Sequence, residues 1–349
     1  MLAHHLFAFP SWWNDGITAQ ALFSLFDMDA GLYLGKFGKI CVSLFLFLSG
    51  FGLYRIFERK GTTDIWRSVK KLYISYWKIF AIFVPLGYFV FAKLGYATKF
   101  SVVFDSFSMK TLVKDLTGWT YKYNHDWWFI KTYVVCLISF PLWAGFVRRN
   151  SVAKNVAAVI GLAIGFDVLF PKLAEVTGLA LNDNVLFEMF FCQYTPCAAA
   201  FYMGAVMAKE NLLEKADQKL TDLGLNHLWV DVLGIVAVSV CRNVVIGADI
   251  DAFYCVPFVL FVTHIMRRFS WVGRIFDILG KNSTNMWLTH SFFIYYFAVF
   301  QPILYYTGRV EIIWPTLVAF TLAISVLIDL FYQGLGKIGG LVVGRWKGQ

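Results

Sequence analysis

The chain has 349 residues, of which 59% are hydrophobic, 19% aromatic and only 15% charged, and its mean hydropathy is +0.62. This composition excludes a soluble globular protein, because about a quarter of the residues in such proteins are charged. The net charge of +9 does not indicate a nucleic-acid partner, since the basic residues fall in short loops between apolar runs and form no nucleic-acid-binding motif. Runs of about 20 apolar residues recur and predict an all-α fold, a polytopic bundle of transmembrane helices.

The amino-terminal segment, residues 1–9, is apolar and leads to Pro10, Trp12 and Trp13, a pattern typical of a membrane exit at the aromatic interface. A complete span needs about 20 residues, so this segment predicts the remnant of a truncated first helix. We expect the native reading frame to extend upstream with mostly apolar residues and a basic residue near its start.

After this remnant the hydropathy pattern predicts about nine full spans in a single membrane domain, residues 1–349. The turn at residues 55–71 and the loop with Arg267, Arg268, Arg274 and Lys281 are rich in basic residues, and short loops of this kind stay cytoplasmic. The carboxyl terminus is then cytoplasmic and residues 93–126 are external. The predicted spans are residues 38–54, 72–91, 127–147, 152–170, 185–208, 228–247, 252–265, 283–306 and 312–332.

Ionisable residues inside spans are costly to bury, so each is a functional candidate. Those near an interface, such as Lys78, have the alternative role of reaching into the headgroup region. The six cysteines lie in or near apolar spans without a C-x-x-C pair and are predicted to be packing residues. The ionisable candidates are His4, His5, Lys78, Lys131, Asp167, Glu188, Arg242, His264, His290 and Asp329.

The adjacent histidines His4 and His5 stand out among these candidates. Neighbouring helical residues point about 100° apart, so we expect only one of the two to face a given site. The sequence has neither H-x-x-x-H nor H-E-x-x-H spacing, and we therefore predict no metal site. A neutral imidazole in a bundle cavity suits general-base catalysis on a hydroxyl. The alternative is a structural hydrogen bond between helices.

Six local patterns then follow one another in order. Each alone is weak, but together, and on consistent sides of the membrane, they resemble the acyltransferase 3 family of integral membrane acyltransferases over nearly the whole chain. The patterns are H-H-L-F at residues 4–7, V-S-L-F-L-F-L-S-G-F at 42–51, K-K-L-Y-I-S-Y-W at 70–77, D-W-W-F-I at 126–130, Y-T-P with F-Y-M-G and Lys209 from 194, and G-K-N-S from 280 with Trp287 and His290.

The third pattern departs from the R-x-x-R-[IL]-[YL]-P-x-[YW] motif that it resembles. Lys71 takes the second arginine position, Ser68 takes the first, and Ile74 replaces the proline. Arg67 and Lys70 stand close by. The basic group that the resemblance assigns to the donor phosphates is therefore Arg67, Lys70 and Lys71, and ordinary cytoplasmic anchoring is the alternative explanation.

The resemblance implies transfer of an acyl group, commonly acetyl from acetyl-CoA, to a hydroxyl or amine of a carbohydrate, cell-wall or lipid-linked acceptor. It implies no bound cofactor, and it implies residence in the cell membrane with the lipid bilayer as partner. The rival hypotheses are a transporter or exporter of a glycan or lipid precursor and a non-catalytic regulatory membrane protein. Against a transporter, the sequence lacks repeated halves with paired Gly or Pro interruptions.

Specific roles follow from the resemblance. His5 would deprotonate the acceptor, with His4 as the second candidate, and the basic turn would hold the donor. Trp127 and Trp128, with other outer aromatics, would stack on a sugar, unless they belong only to the interfacial aromatic belt. Ser283 and His290 mark the last motif, in an acceptor-side or structural role. His5 lies toward the outer face while the basic turn lies inside, so passage of the acyl group across the membrane stays an open alternative.

Overall fold

The computed structural model describes residues 1–13, 17–96, 98–165, 170–177, 194–248 and 250–346, and most of these residues are helical. The named strands, β1 (Ser24–Leu25) and β2 (Met28–Asp29), form one small antiparallel hairpin. The predicted all-α fold is confirmed. The α-helices are α1 (Leu2–Phe7), α2 (Ala30–Gly38), α3 (Ile40–Lys60), α4 (Ile65–Leu86), α5 (Met109–Leu116), α6 (Trp128–Arg149), α7 (Val152–Ile164), α8 (Phe170–Thr177), α9 (Thr195–Lys209), α10 (Leu212–Asp222), α11 (Leu228–Val240), α12 (Asp251–Arg268), α13 (Ser270–Ser291), α14 (Gln301–Leu304) and α15 (Val310–Trp346).

Within the described residues, 5 helical segments are long and apolar enough to cross a membrane, or 6 if α12 and the helix after it, which meet at 119°, count as one span. The predicted number of about nine spans is not reached by this criterion. The predicted span 152–170 is described only in part, as the shorter helix α7, and most of the first half of 185–208 lies outside the described residues. The 5 segments are Ala30–Lys60, Ile65–Phe91, His125–Arg149, Leu228–Val245 and Val310–Lys337.

The basic turn is shorter than the sequence predicted, because charged residues with good helix propensity extend both flanking helices. Helix α3 continues to Lys60 and ends at Gly61, whose φ of 72° is the left-handed conformation typical of a helix end. Helix α4 begins at Ile65, and the Asp64 carboxylate accepts a hydrogen bond from the Arg67 backbone N–H at 3.0 Å. Arg67, like Lys70 and Lys71, therefore stands on the first turns of α4.

The predicted inner loop around residues 267–281 is wrong. Only Phe269 separates α12 from α13, and the basic residues Arg274 and Lys281 lie on the latter helix. Trp271, Ile275 and Ile278 recur at helical spacing, so this stretch is amphipathic and folds as a helix despite its charges.

Helices α3 and α9 form the centre of one of the two large hydrophobic clusters. A Cβ atom on Gly50 would lie 1.9 Å from the carbonyl oxygen of Phe201, and one on Gly204 would lie 1.9 Å from that of Phe47. Small residues allow such close backbone approach between membrane helices. The glycines of the S-G-F and F-Y-M-G patterns thus lie at one contact, where α3 and α9 pack against each other. The other large cluster joins α1, α4 and α13 with the start of α15.

The long connection that the sequence placed outside, residues 93–126, returns along α4. Tyr73, Tyr76 and Trp77 of α4 donate hydrogen bonds to the backbone carbonyls of Thr117, Asp115 and Leu116. These carbonyls lie at the end of α5 and just beyond it. This connection therefore packs against the middle of α4 and brings the start of α6 into the bundle.

We expect the turn between α3 and α4 to be cytoplasmic and the β1–β2 hairpin to be external, because of the distribution of basic residues. Cysteines placed at Thr62 and Ser24, both exposed positions, test this orientation. A membrane-impermeant maleimide should label Ser24→Cys in intact cells and Thr62→Cys only after permeabilisation. The opposite pattern would invert the topology.

Candidate active site

The position of α1 is fixed by polar contacts to its last carbonyls. The indole Nε1 of Trp13 donates to the Leu6 carbonyl at 2.8 Å, and the Tyr295 hydroxyl donates to the His5 carbonyl. Helix α2 packs closely against α1, because a Cβ atom on Gly35 would lie 2.6 Å from the Ala8 nitrogen. These contacts hold the two histidines of α1 in place.

His5 lies beside Asp126 and His290, which come from distant parts of the chain. The His5 Nδ1 atom is 3.3 Å from Asp126 Oδ1, and the His290 Nε2 atom is 3.4 Å from Asp126 Oδ2. The two imidazole ring centroids are 4.9 Å apart. The cluster is well shielded, since the side chains of His5, Asp126 and His290 are 13%, 8% and 0% exposed. It joins α1, the short 3₁₀ helix His125–Trp127 and α13.

Further hydrogen bonds orient Asp126 and His290. The Ser291 hydroxyl donates to Asp126 Oδ2, and the Asp126 backbone N–H donates to Asn124 Oδ1 at 3.0 Å. His290 Nδ1 lies 2.6 Å from the Trp287 carbonyl oxygen, and a carbonyl only accepts, so Nδ1 carries a proton. The other nitrogen of His290, Nε2, is the one that faces Asp126.

A cavity of about 530 Å³ adjoins the cluster. Its wall includes His5, Asp126 and the exposed cation Lys39, together with residues at the starts of α9 and α12. On the predicted topology, the starts of α6, α9 and α12 all lie toward the outer side. Its aromatic wall is formed by Phe9, Tyr121, Trp128, Phe129 and Trp287.

The expectation that His4 and His5 face different sites is wrong, because both line this cavity. The cavity is wide enough to meet two adjacent faces of α1. The two rings differ in their partners, since His4 Nδ1 donates to the Gly35 carbonyl at 2.9 Å whereas His5 Nδ1 faces a carboxylate. His5 is therefore the histidine with a charged partner.

The remaining predicted site residues lie at different depths. Trp127 packs in the core, since it is 1% exposed and its Nε1 donates to the Leu288 carbonyl at 3.0 Å. Trp128 lines the cavity, and Trp127 does not. Ser283 is exposed, and its hydroxyl bonds back to the Gly280 carbonyl within α13. Arg67, Lys70 and Lys71 are exposed on α4 and do not line the cavity.

Two other buried ionisable residues have charged partners away from this cluster. Arg242 binds Asp251 through two hydrogen bonds of 2.7 and 2.8 Å and also donates to the Lys36 carbonyl. His264 lies 2.8 Å from Asp231 and 2.9 Å from Asp217. Such pairs join helices to one another, which is the expected outcome for a charge buried in a membrane protein. Asp167 and Glu188, also named from the sequence, lie outside the described residues.

The sequence reasoning missed Asp126 and Lys39 as site residues. Asp126 opens the D-W-W-F-I pattern, and a carboxylate directly before an aromatic span is a sequence signal that could have identified it as a site residue. Lys39 follows Gly38 between two apolar runs. Spacing within one helix predicts no metal site, but the ligand atoms of His5, Asp126 and His290 come from three segments and all lie within 4.8 Å of one another.

The comparisons with known proteins identify the family of the chain. The model of the acyltransferase domain of the acyltransferase 3 type matches residues 1–330. A search of curated proteins and a search of solved structures found no match. Because the family model covers nearly the whole chain, the protein belongs to the acyltransferase 3 family, and it is a membrane acyltransferase by family.

Proposed function

We propose that this protein transfers an acyl group, acetyl in the simplest case, from an acyl-CoA to a hydroxyl or amine of a carbohydrate, cell-wall or lipid-linked acceptor. The observation that carries this proposal is the pairing of His5 with Asp126 at the wall of a cavity of about 530 Å³. This volume falls within the range of small-molecule sites, about 300 to 1,000 Å³. Neither the family match nor the cavity favours the transporter alternative.

In the proposed reaction His5 acts as the general base. Its Nδ1 faces Asp126, which leaves Nε2 for the acceptor. Nε2 takes the proton of the acceptor hydroxyl while the oxygen attacks the thioester carbonyl. The carbon–sulfur bond then breaks, and the imidazolium returns its proton to the CoA thiolate. The products are the acyl ester and free CoA.

Asp126 supports this chemistry in two ways. Its carboxylate lies 3.3 Å from His5 Nδ1, and this negative charge favours the tautomer with the proton on Nδ1 and a free lone pair on Nε2. The same charge stabilises the imidazolium that forms during transfer. The Ser291 hydroxyl donates to the carboxylate, and the Asn124 side chain accepts from the backbone N–H of Asp126 and so fixes its main chain. The aromatic residues Tyr121, Trp128 and Trp287 offer apolar faces on which a sugar ring stacks, next to the polar cluster.

Acyl transfer itself is tested with purified protein in lipid nanodiscs, labelled acetyl-CoA and glycan or lipid-linked acceptors extracted from the cell envelope. The proposal predicts label in an alkali-sensitive ester on the acceptor, together with stoichiometric release of CoA. Release of CoA that does not depend on any acceptor, with no labelled product, would contradict transfer.

The donor site is proposed at Arg67, Lys70 and Lys71, whose cations suit the phosphates of CoA. Replacing Lys70 and Lys71 with glutamine should raise the Kd for acetyl-CoA by about tenfold or more and leave acceptor binding unchanged, because only the donor carries several phosphates. Titration calorimetry measures both affinities. The matched control is Lys215→Gln with Lys219→Gln, two exposed lysines on α10. Unchanged donor affinity would exclude this basic group.

The close packing of α1 on α2 gives a positioning test. In Gly35→Ala the new methyl group would meet the backbone of Ala8 at 2.6 Å, so α1 must move and carry His5 with it. A misplacement of about 1 Å can cost up to 10²-fold in rate, and we expect a loss of about 10- to 100-fold in acyl transfer. Gly52→Ala is the control, because nothing lies within 4 Å of its added Cβ. Equal rates for the two variants would mean that α1 needs no such contact.

A further inference from the structure

We propose that His5, Asp126 and His290 form a binding site for a divalent transition-metal ion, with Zn²⁺ as the best fit, and that the bound ion inhibits acyl transfer. Metal binding is independent of the proposed function. The inhibition rests on the proposed function, because a bound ion inhibits acyl transfer only if His5 is the base.

The spacing of the three ligand atoms suits one ion. In a tetrahedral zinc site with bonds of about 2.0 Å, neighbouring ligand atoms lie about 3.3 Å apart. His5 Nδ1 and His290 Nε2 lie 3.3 and 3.4 Å from the two oxygens of Asp126, and no two ligand atoms of the group are more than 4.8 Å apart. We expect small side-chain rotations to bring both ring nitrogens and one oxygen of Asp126 onto a common centre.

The two imidazoles present the correct nitrogens to that centre. His5 Nδ1 and His290 Nε2 are buried, and within the described part of the chain neither makes a hydrogen bond. The protonated Nδ1 of His290 donates to the Trp287 carbonyl, so the lone pair of the neutral ring is on Nε2. Metal-binding histidines usually donate their other N–H to a carbonyl or carboxylate in this way, which fixes the ring.

The donor set selects the class of ion. Two imidazole nitrogens with one carboxylate suit Zn²⁺ and its first-row neighbours, whereas Mg²⁺ and Ca²⁺ prefer oxygen ligands. His5 and Asp126 also line the cavity, so a water molecule or a small ligand can complete the coordination from that side.

Inhibition follows from the chemistry of imidazole. A neutral ring that binds a metal through Nδ1 carries its proton on Nε2 and has no lone pair left to accept another. Zn²⁺ at this site therefore removes the base that acyl transfer requires, and it also neutralises the carboxylate that stabilises the imidazolium. The metal-free protein is the active form.

The test uses purified full-length protein without a histidine tag, treated with a chelator and then dialysed. Equilibrium dialysis against Zn²⁺ should show saturable binding. His290→Ala should lower the Zn²⁺ affinity by at least about tenfold, because loss of a residue that only hydrogen-bonds to a metal ligand already costs that much. His227→Ala removes an exposed histidine at the start of α11 and should bind Zn²⁺ like the wild type. Co²⁺ bound to the unaltered protein should give visible d–d absorption that Zn²⁺ abolishes, a readout that needs no variant.

The outcomes separate the two proposals. Equal Zn²⁺ binding by the wild type and a folded His290→Ala, or no Co²⁺ spectrum, would overturn the metal site, and acyl transfer that needs His5 would still stand. Metal-free protein that becomes active only when Zn²⁺ is added would overturn the inhibition. His290-dependent Zn²⁺ binding in a protein that transfers no acyl group would leave the metal site and refute the proposed function.

Discussion

Replacing His5 with alanine is expected to lower acyl transfer by about 10²- to 10⁴-fold, the usual contribution of one positioned general base. The loss should appear in kcat, because the side chain acts on the acceptor proton in the transition state and holds neither substrate. Initial rates with purified protein measure the effect, normalised to the amount of folded protein in nanodiscs.

Variants of other histidines show whether the loss of activity is specific to His5. His227→Ala removes an exposed histidine and should keep the wild-type rate. His264→Ala is a poorer control, because His264 is buried between Asp231 and Asp217 and its loss should destabilise the contacts among α10, α11 and α12. Near-normal turnover by His5→Ala with strong loss in His4→Ala would transfer the role of base to His4.

Replacing Asp126 with asparagine is expected to reduce kcat by about 10²- to 10⁴-fold while the KM values change little. The amide keeps the size of the side chain, but it no longer stabilises an imidazolium, and its NH₂ group favours the wrong tautomer of His5. Parallel kinetic measurements with Asp105→Asn, an exposed carboxylate on the same connection, provide the control. A variant with wild-type kcat and a raised KM would place Asp126 in substrate binding instead.

The features of the fold that the sequence predicted are those that depend on single segments. The length and apolar character of the runs predicted membrane helices, since an unpaired backbone is not tolerated in lipid. The basic turn between the second and third predicted helices is present, although Arg67 stands on α4 because arginine continues a helix readily. The patterns around Gly50 and Gly204 were recognised as family motifs, and their structural reason is the contact between α3 and α9.

The features that the sequence did not predict depend on contacts between distant segments. His5, Asp126 and His290 converge from the beginning, the middle and the late part of the chain, and no local spacing encodes this convergence. The sequence predicts an external polar connection at 93–126, but it does not predict that tyrosines of α4 donate hydrogen bonds to carbonyls of this connection or that Asp126 at its end lies beside α1. His5 was predicted as a site residue from its position in a motif, whereas its proximity to the carboxylate of Asp126 is visible only in the structure.

The central claim, that the imidazole of His5 is the base for acyl transfer, is tested most directly by chemical rescue. Purified His5→Ala is assayed with labelled acetyl-CoA and acceptor across a series of imidazole concentrations. We expect the alanine variant to be nearly inactive alone and to gain activity in proportion to imidazole, because the free base enters the cavity of about 530 Å³ beside Asp126. The wild type and Asp126→Asn should gain no activity from imidazole. Wild-type turnover by His5→Ala without imidazole would contradict the central claim.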